Sequence, residues 1–169
     1  MKRIAVFFVE VWYRTCLLLT KTRTKVKFHS SYKRIAEELS WGKEYTPDPV
    51  KGLLDVITHP SRVQRRVNAG MKVGDCDDHA AYWAAAVEDS ELCIPGSARL
   101  GFVRYRNKSG KLSGHVVALW KDKKTGVSLW ADYAEPTEFF SDDWSKHVCA
   151  KFGTKYRWSA EVLTGHFTK

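Results

Sequence analysis

The chain has 169 residues, 44% of them hydrophobic and 28% charged, which excludes a disordered, collagen-like or low-complexity protein. That length predicts one domain, residues 1–169, with a buried core. The net charge of +9 is uneven: residues 1–70 hold 14 Lys/Arg against 6 Asp/Glu, and the remainder 14 against 13.

A basic front half suits a solvated face, or a contact with nucleic acid, an anionic membrane or an acidic protein. No nucleic-acid motif accompanies it. The opening "MKRIAVFFVEVWYRTCLLL" puts Lys2 and Arg3 before an apolar run that Glu10 and Arg14 interrupt. No small-residue cleavage site follows, so neither a signal peptide nor a membrane span is expected. The four cysteines, Cys16, Cys76, Cys93 and Cys149, match no zinc spacing and are sparse for a disulfide scaffold. Reduced thiols in a cytoplasmic setting are the expectation.

"TKTRTKVKF" (20–28) alternates basic and other residues, which predicts a strand with one basic face. "SYKRIAEELS" (31–40) reads as a short helix with Ile35, Ala36 and Leu39 on one side. A second helix is expected over 46–58, with Asp48 as N-cap, Pro49 at the first helical position and Pro60 ending it. "SRVQRRVNAG" (61–70) reads as a third, closing at Gly70. "VGDCDDHAAYWAAAV" (73–87) then opens a helix of about 14 residues. Asp75 suits its N-cap, and Asp77 and Asp78 sit where the helix dipole favours negative charge; Asp75 and Asp77 are expected to cap the helix or to pair with Arg65 or Arg66.

After Pro95 and Gly96 the period changes to two. Residues 98–106, 114–120 and 127–133 predict three antiparallel strands. "EPTEFFSDDWSKHV" reads as a loop and short helix, and 155–162 as a last strand or helix. The class is α+β: N-terminal helices, then an antiparallel sheet on which the Cys76 helix packs.

A cysteine at a helix N-terminus has its thiolate favoured by the dipole, and nearby N–H groups can receive an oxyanion. It needs a base, and the base an orienting group. His115 begins one strand and Asp132 ends the next. A hairpin centred between Lys123 and Lys124 pairs residues whose numbers sum to 247, as these do. They would then face each other directly, with Cβ atoms about 5 Å apart.

"GDCDDHA", "GHVVALW" and "LWADY", in that order, resemble the transglutaminase-like cysteine peptidase superfamily, nearest its small bacterial and phage members. The resemblance spans about residues 40–145, making 41–145 a catalytic core, 1–40 a basic N-terminal extension and 146–169 a C-terminal strand or helix. It implies a papain-like core, a Cys76–His115–Asp132 triad acting on a protein or peptide substrate, and no metal or organic cofactor. Trp41 is the candidate for the family's second oxyanion donor. Where related motifs often place Asn after the aspartate, this chain has Tyr133.

The triad chemistry is shared by a thiol hydrolase and an acyltransferase. A third reading is a non-catalytic module whose basic half contacts DNA or an acidic partner. A metal site from Cys76, His79, His115 and Asp132 lacks any supporting spacing.

Overall fold

The chain was analysed as a computed structural model that describes residues 11–16, 18–21, 24–40, 57–133, 136–139, 143–152 and 155–163. Helical residues 11–16 and 18–20 come first. Then follow α1 (Tyr32–Ser40), α2 (Pro60–Asn68), α3 (Cys76–Asp89), β1 (Arg99–Arg106), β2 (Leu112–Lys121), β3 (Ser128–Ala131), β4 (Thr137–Phe139), α4 (Trp144–Phe152) and β5 (Lys155–Leu163). The five strands form one antiparallel sheet in the order β4-β3-β2-β1-β5. The α+β class read from the sequence is therefore the observed one: helices first, then an antiparallel sheet against which they pack. No helix among the described residues is long and apolar enough to cross a membrane.

Local chemistry accounts for the helix ends. Pro60 occupies the first turn of α2, where its missing N–H costs nothing. His59 caps that turn, its Nδ1 accepting from Ser61 N at 3.1 Å. At the other end Gly70 N–H reaches Val67 O (3.0 Å) and Met71 N–H reaches Arg66 O (2.9 Å). This is a Schellman closure, and Gly70 supplies the left-handed residue it requires, with φ 63°.

α3 departs from an amphipathic helix. Every side chain from Asp77 to Val87 is buried, because α3 is covered by the sheet on one side and by α1 and α2 on others. The alanine run makes this possible by letting neighbours approach the backbone. On the sheet side Trp83 stacks on Trp120 of β2, with centroids 5.7 Å apart at 13°. Truncating either ring to Ala costs about 3–5 kcal/mol, the range for large aromatic cavities.

The sheet has two dry faces. Leu100, Val116, Ala118, Trp120, Leu129 and Ala131 face the α3 layer. Val103, Tyr105, Val117, Leu119, Trp130 and Phe139 pack instead with Trp144, Val148 and Cys149 of α4. Gly101 belongs to this second face because a Cβ there would lie 2.7 Å from the Trp144 ring.

Two expectations need correction. The predicted strand at 20–28 is not one among its described residues: residue 20 ends the first helical stretch, and 24–28 belong to no element. Lys27 N–H donates to the Gln64 side chain at 2.9 Å, so side chains rather than a ladder hold this segment. Period-two alternation specifies two faces but supplies no pairing partner. The supposed loop at 135–143 contains β4, which adds an edge strand to β3. The C-terminal segment resolves to a strand, β5, paired with β1. The helix expected over 46–58 lies almost wholly outside the described residues.

Candidate active site

The first turn of α3 is built around a glycine. Gly74 has φ 141°, a conformation that side chains other than hydrogen rarely adopt. A Cβ there would also lie 2.7 Å from Asp78 Cγ. Asp78 folds back across Gly74 to accept from Thr58 N (2.7 Å) and from Arg66 Nη1 (3.1 Å), while Arg66 also donates to Val73 O (2.6 Å). Arg66 thus pairs with Asp78, where Asp75 and Asp77 were the expected partners. Asp75 holds the N-cap position but makes no capping hydrogen bond through its side chain, so its effect is one of charge alone.

Oxygens of Asp75, Asp77 and Asp78 converge to within 4.8 Å of one another. Burial pushes the Asp78 carboxyl up to about 6, with repulsion from Asp75 added, against the hydrogen bonding of Thr58 and the charge of Arg66. Among the described residues this is the one cluster of acidic, His or Cys side chains close enough to share an ion, and Thr58 and Arg66 already engage Asp78.

Cys76 opens α3 and is half-buried, whereas Cys16, Cys93 and Cys149 are buried; all four are thiols. Burial and the nearby Glu88 push the Cys93 thiol up to about 12, and burial raises that of Cys149. These two are unreactive by environment. The start of an α-helix leaves first-turn N–H groups outside its ladder, where they suit an oxyanion.

His115 and Asp132 come from the other side of the sheet. The β2–β3 register pairs Ala118 with Ala131 and Lys121 with Ser128, so partner numbers sum to 249, not 247. The loop is Lys123–Gly126, closed by Asp122 N–H donating to Val127 O at 2.9 Å. Asp122 Oδ1 accepts from Lys124 N (2.9 Å) and Thr125 N (2.7 Å), and Gly126 takes φ 71°. That turn chemistry moves the centre of the hairpin one residue along. His115 and Asp132 are therefore diagonal, not directly opposite, and the β2–β3 ladder stops at Ala131. A shift of two in the sum preserves the face, because side chains alternate with period two.

On that face His115 Nε2 lies 3.7 Å from Asp132 Oδ2, with both side chains buried. Since Nε2 is the nitrogen turned to the carboxylate, Nδ1 is the one left for a thiol. Burial alone would raise the Asp132 carboxyl. The His115 ring at 3.7 Å, with the hydrogen bond and charge of Lys151, outweighs it and holds the group well below the usual carboxylate range. Asp132 is therefore ionised at any ordinary pH.

Residues that sequence reasoning did not single out surround the pair. Lys151, in the last turn of α4, donates to Asp132 Oδ2 at 3.1 Å. Its ammonium stands 4.9 Å from the Trp130 ring centroid and 5.1 Å from that of Phe152. Phe152 packs on His115 at 4.2 Å. Tyr133, the departure from the motif, sits between the two layers, 5.9 Å from the His115 ring and 4.8 Å, edge-on, from His79 of α3. Burial lowers His79 to about 4 despite Asp75 and Asp132, so it is neutral at pH 7. Burial raises the Tyr105 hydroxyl, against its hydrogen bond with Ser113. Only a basic residue near a helix C-terminus hinted at Lys151, and that signal is generic. Trp41 lies outside the described residues.

No protein-family model and no curated protein matches the chain. Among solved structures it is similar to Legionella pneumophila LapG, with a TM-score of 0.45 and 16% identity, covering 81% of this chain and 71% of that one. So distant a likeness says nothing of reaction or substrate.

Proposed function

We propose that the protein is a thiol hydrolase that opens an amide or isopeptide bond of a protein or peptide through Cys76, His115 and Asp132. The observation that carries this reading is the buried His115–Asp132 pair, Nε2 to Oδ2 3.7 Å, on a sheet packed against the helix that Cys76 opens. The order Cys, His, Asp on helix, strand and strand end is what the transglutaminase-like resemblance implies.

Cys76 gives its proton to His115 Nδ1, and the sulfur attacks the carbonyl carbon. The oxyanion is received by N–H groups of the first turn of α3, with Trp41 as the proposed second donor. As the C–N bond breaks, the imidazolium passes its proton to the departing nitrogen. His115 then takes a proton from water, which hydrolyses the thioester and restores the thiol. Asp132, fixed as a carboxylate, orients the ring and favours its charged form. An amine in place of water would make the same residues an acyltransferase.

The test is iodoacetamide labelling at pH 6 with peptide mapping. Cys76 is expected to react first, and its exposure alone would favour that. The discriminating arm is His115→Gln, which should slow Cys76 labelling at least about tenfold, back to an ordinary thiol's rate. A rate unchanged by that substitution removes His115 as the base. Supplying an amine acceptor with a model peptide and weighing the product separates hydrolysis from acyl transfer.

A further inference from the structure

Lys151 and His115 share a single oxygen. Asp132 Oδ2 is 3.1 Å from Lys151 Nζ and 3.7 Å from His115 Nε2. The lysine has the shorter contact, and its ammonium is held there by the rings of Trp130 and Phe152. Phe152, next along α4, also packs on the His115 ring, so one helix end touches both members of the pair. A surface lysine that merely solubilised the fold would have no reason to reach inward to a buried carboxylate. Nothing in the reaction proposed above requires a cation at this point.

We propose that Lys151 is the positioning residue of this site: by taking the nearer share of Asp132 Oδ2 it sets how strongly that carboxylate engages His115. This rests on the Cys76–His115–Asp132 reading for its consequence in catalysis, but the coupling itself is a property of His115.

The physical content is a three-body balance. Asp132 favours the imidazolium, and Lys151 opposes it, both by its own positive charge and by drawing the shared acceptor away. A histidine paired too tightly with a carboxylate would stay protonated and could not take the proton from water. Other groups stand near the ring. Tyr133 lies 5.9 Å from His115 and 4.8 Å from neutral His79 of α3, and Tyr105 lies one pleat along β1 from Val103, the cross-strand partner of His115. The Arg104 side chain lies along Gly114, beside His115 on β2.

The experiment is an NMR titration of the His115 ring, assigned by its loss in His115→Gln, in wild type, Lys151→Met and Lys151→Arg. Lys151→Met should raise the His115 midpoint by about one pH unit, the size expected for removing a neighbouring like charge. Lys151→Arg, which keeps the charge, should restore it to within about a third of that shift. The alkaline limb of Cys76 alkylation should move with the same midpoint. Lys151→Gln repeats the measurement if methionine disturbs the Trp130–Phe152 slot. A His115 midpoint that does not move in either neutral variant overturns the proposal. A midpoint that moves while Cys76 labels no faster than Cys16, Cys93 and Cys149 upholds the coupling and overturns the thiol-hydrolase reading instead.

Discussion

Among the described residues, two histidine–carboxylate pairs are built differently, one partly and one fully buried. At the first, His29 Nε2 lies 2.6 Å from Glu38 Oε2, and Glu38 Oε1 accepts from Gln64 Nε2 at 2.6 Å. Gln64 is itself fully used: its Nε2 also donates to Asn68 Oδ1, and its Oε1 accepts from Tyr82 OH and Lys27 N. This network sews α1, α2 and α3 together with the segment before α1. At the second, His115 and Asp132 stand 3.7 Å apart, with a lysine on the same carboxylate oxygen and the Phe152 ring 4.2 Å from that of His115. A short hydrogen-bonded network fixes a geometry, whereas a longer pair that shares its oxygen with a cation is held less tightly. In the function proposed above, the same two side-chain chemistries serve packing in one place and acid–base work in the other.

The sharpest way to break this contrast is to remove one charge from each pair. Asp132→Asn should cut turnover of a susceptible peptide about a thousandfold, through loss of ring orientation. It should cost only about 1 kcal/mol of stability, since Lys151 is 45% exposed and can turn to water. Steady-state kinetics alongside urea denaturation read both numbers; a large stability loss with intact turnover would reverse the roles assigned to the two pairs.

Glu38→Gln should do the opposite, lowering stability by about 3 kcal/mol because it takes a charged acceptor from His29, Gln64 and Lys27, with turnover per folded molecule unchanged. Its pH signature follows from the environment of the carboxyl. Burial alone would raise Glu38, but hydrogen bonds from His29 and Gln64, with Lys27 adding charge, lower it from 4.5 to about 2. A carboxyl with a depressed folded value stabilises above its unfolded value. That stability is present above pH 4.5 and is lost as the pH falls toward 2. Acid denaturation of wild type should steepen across this window, and Glu38→Gln should lack that component.

The smallest effect is expected at Lys27, whose ammonium sits 3.3 Å from Glu38 but is 56% exposed. Lys27→Met should shift stability by no more than about 0.5 kcal/mol, as exposed ion pairs do. A drop comparable to that of Glu38→Gln would mean that the network depends on this cation rather than on His29.

How far the chain could be read follows the range of each physical rule. The helix over 76–89 and strands β1, β2 and β3 were legible because period, caps and turn residues act within a few positions. The placement of His115 and Asp132 on one face was legible too, since alternation survives any even shift of register. Their direct opposition was not, because the hairpin centre was set by Asp122 and Gly126 inside the loop rather than by the symmetry of the flanking runs. The basic run at 20–28 misled for a related reason: alternation describes a strand but cannot provide it with a neighbour.

By itself, then, the sequence determined the helix over 76–89, strands β1 to β3, the α+β class, and the three side-chain types that make the Cys76, His115 and Asp132 reading possible. Tertiary structure alone decided that Asp78 closes over Gly74 onto Thr58 and Arg66, that Tyr133 stands between His79 and His115, and that Lys151 shares the oxygen of Asp132 with His115. The physical reason is distance along the chain. Propensity and periodicity act locally, whereas these contacts join residues brought together only when α3, the sheet and α4 have packed.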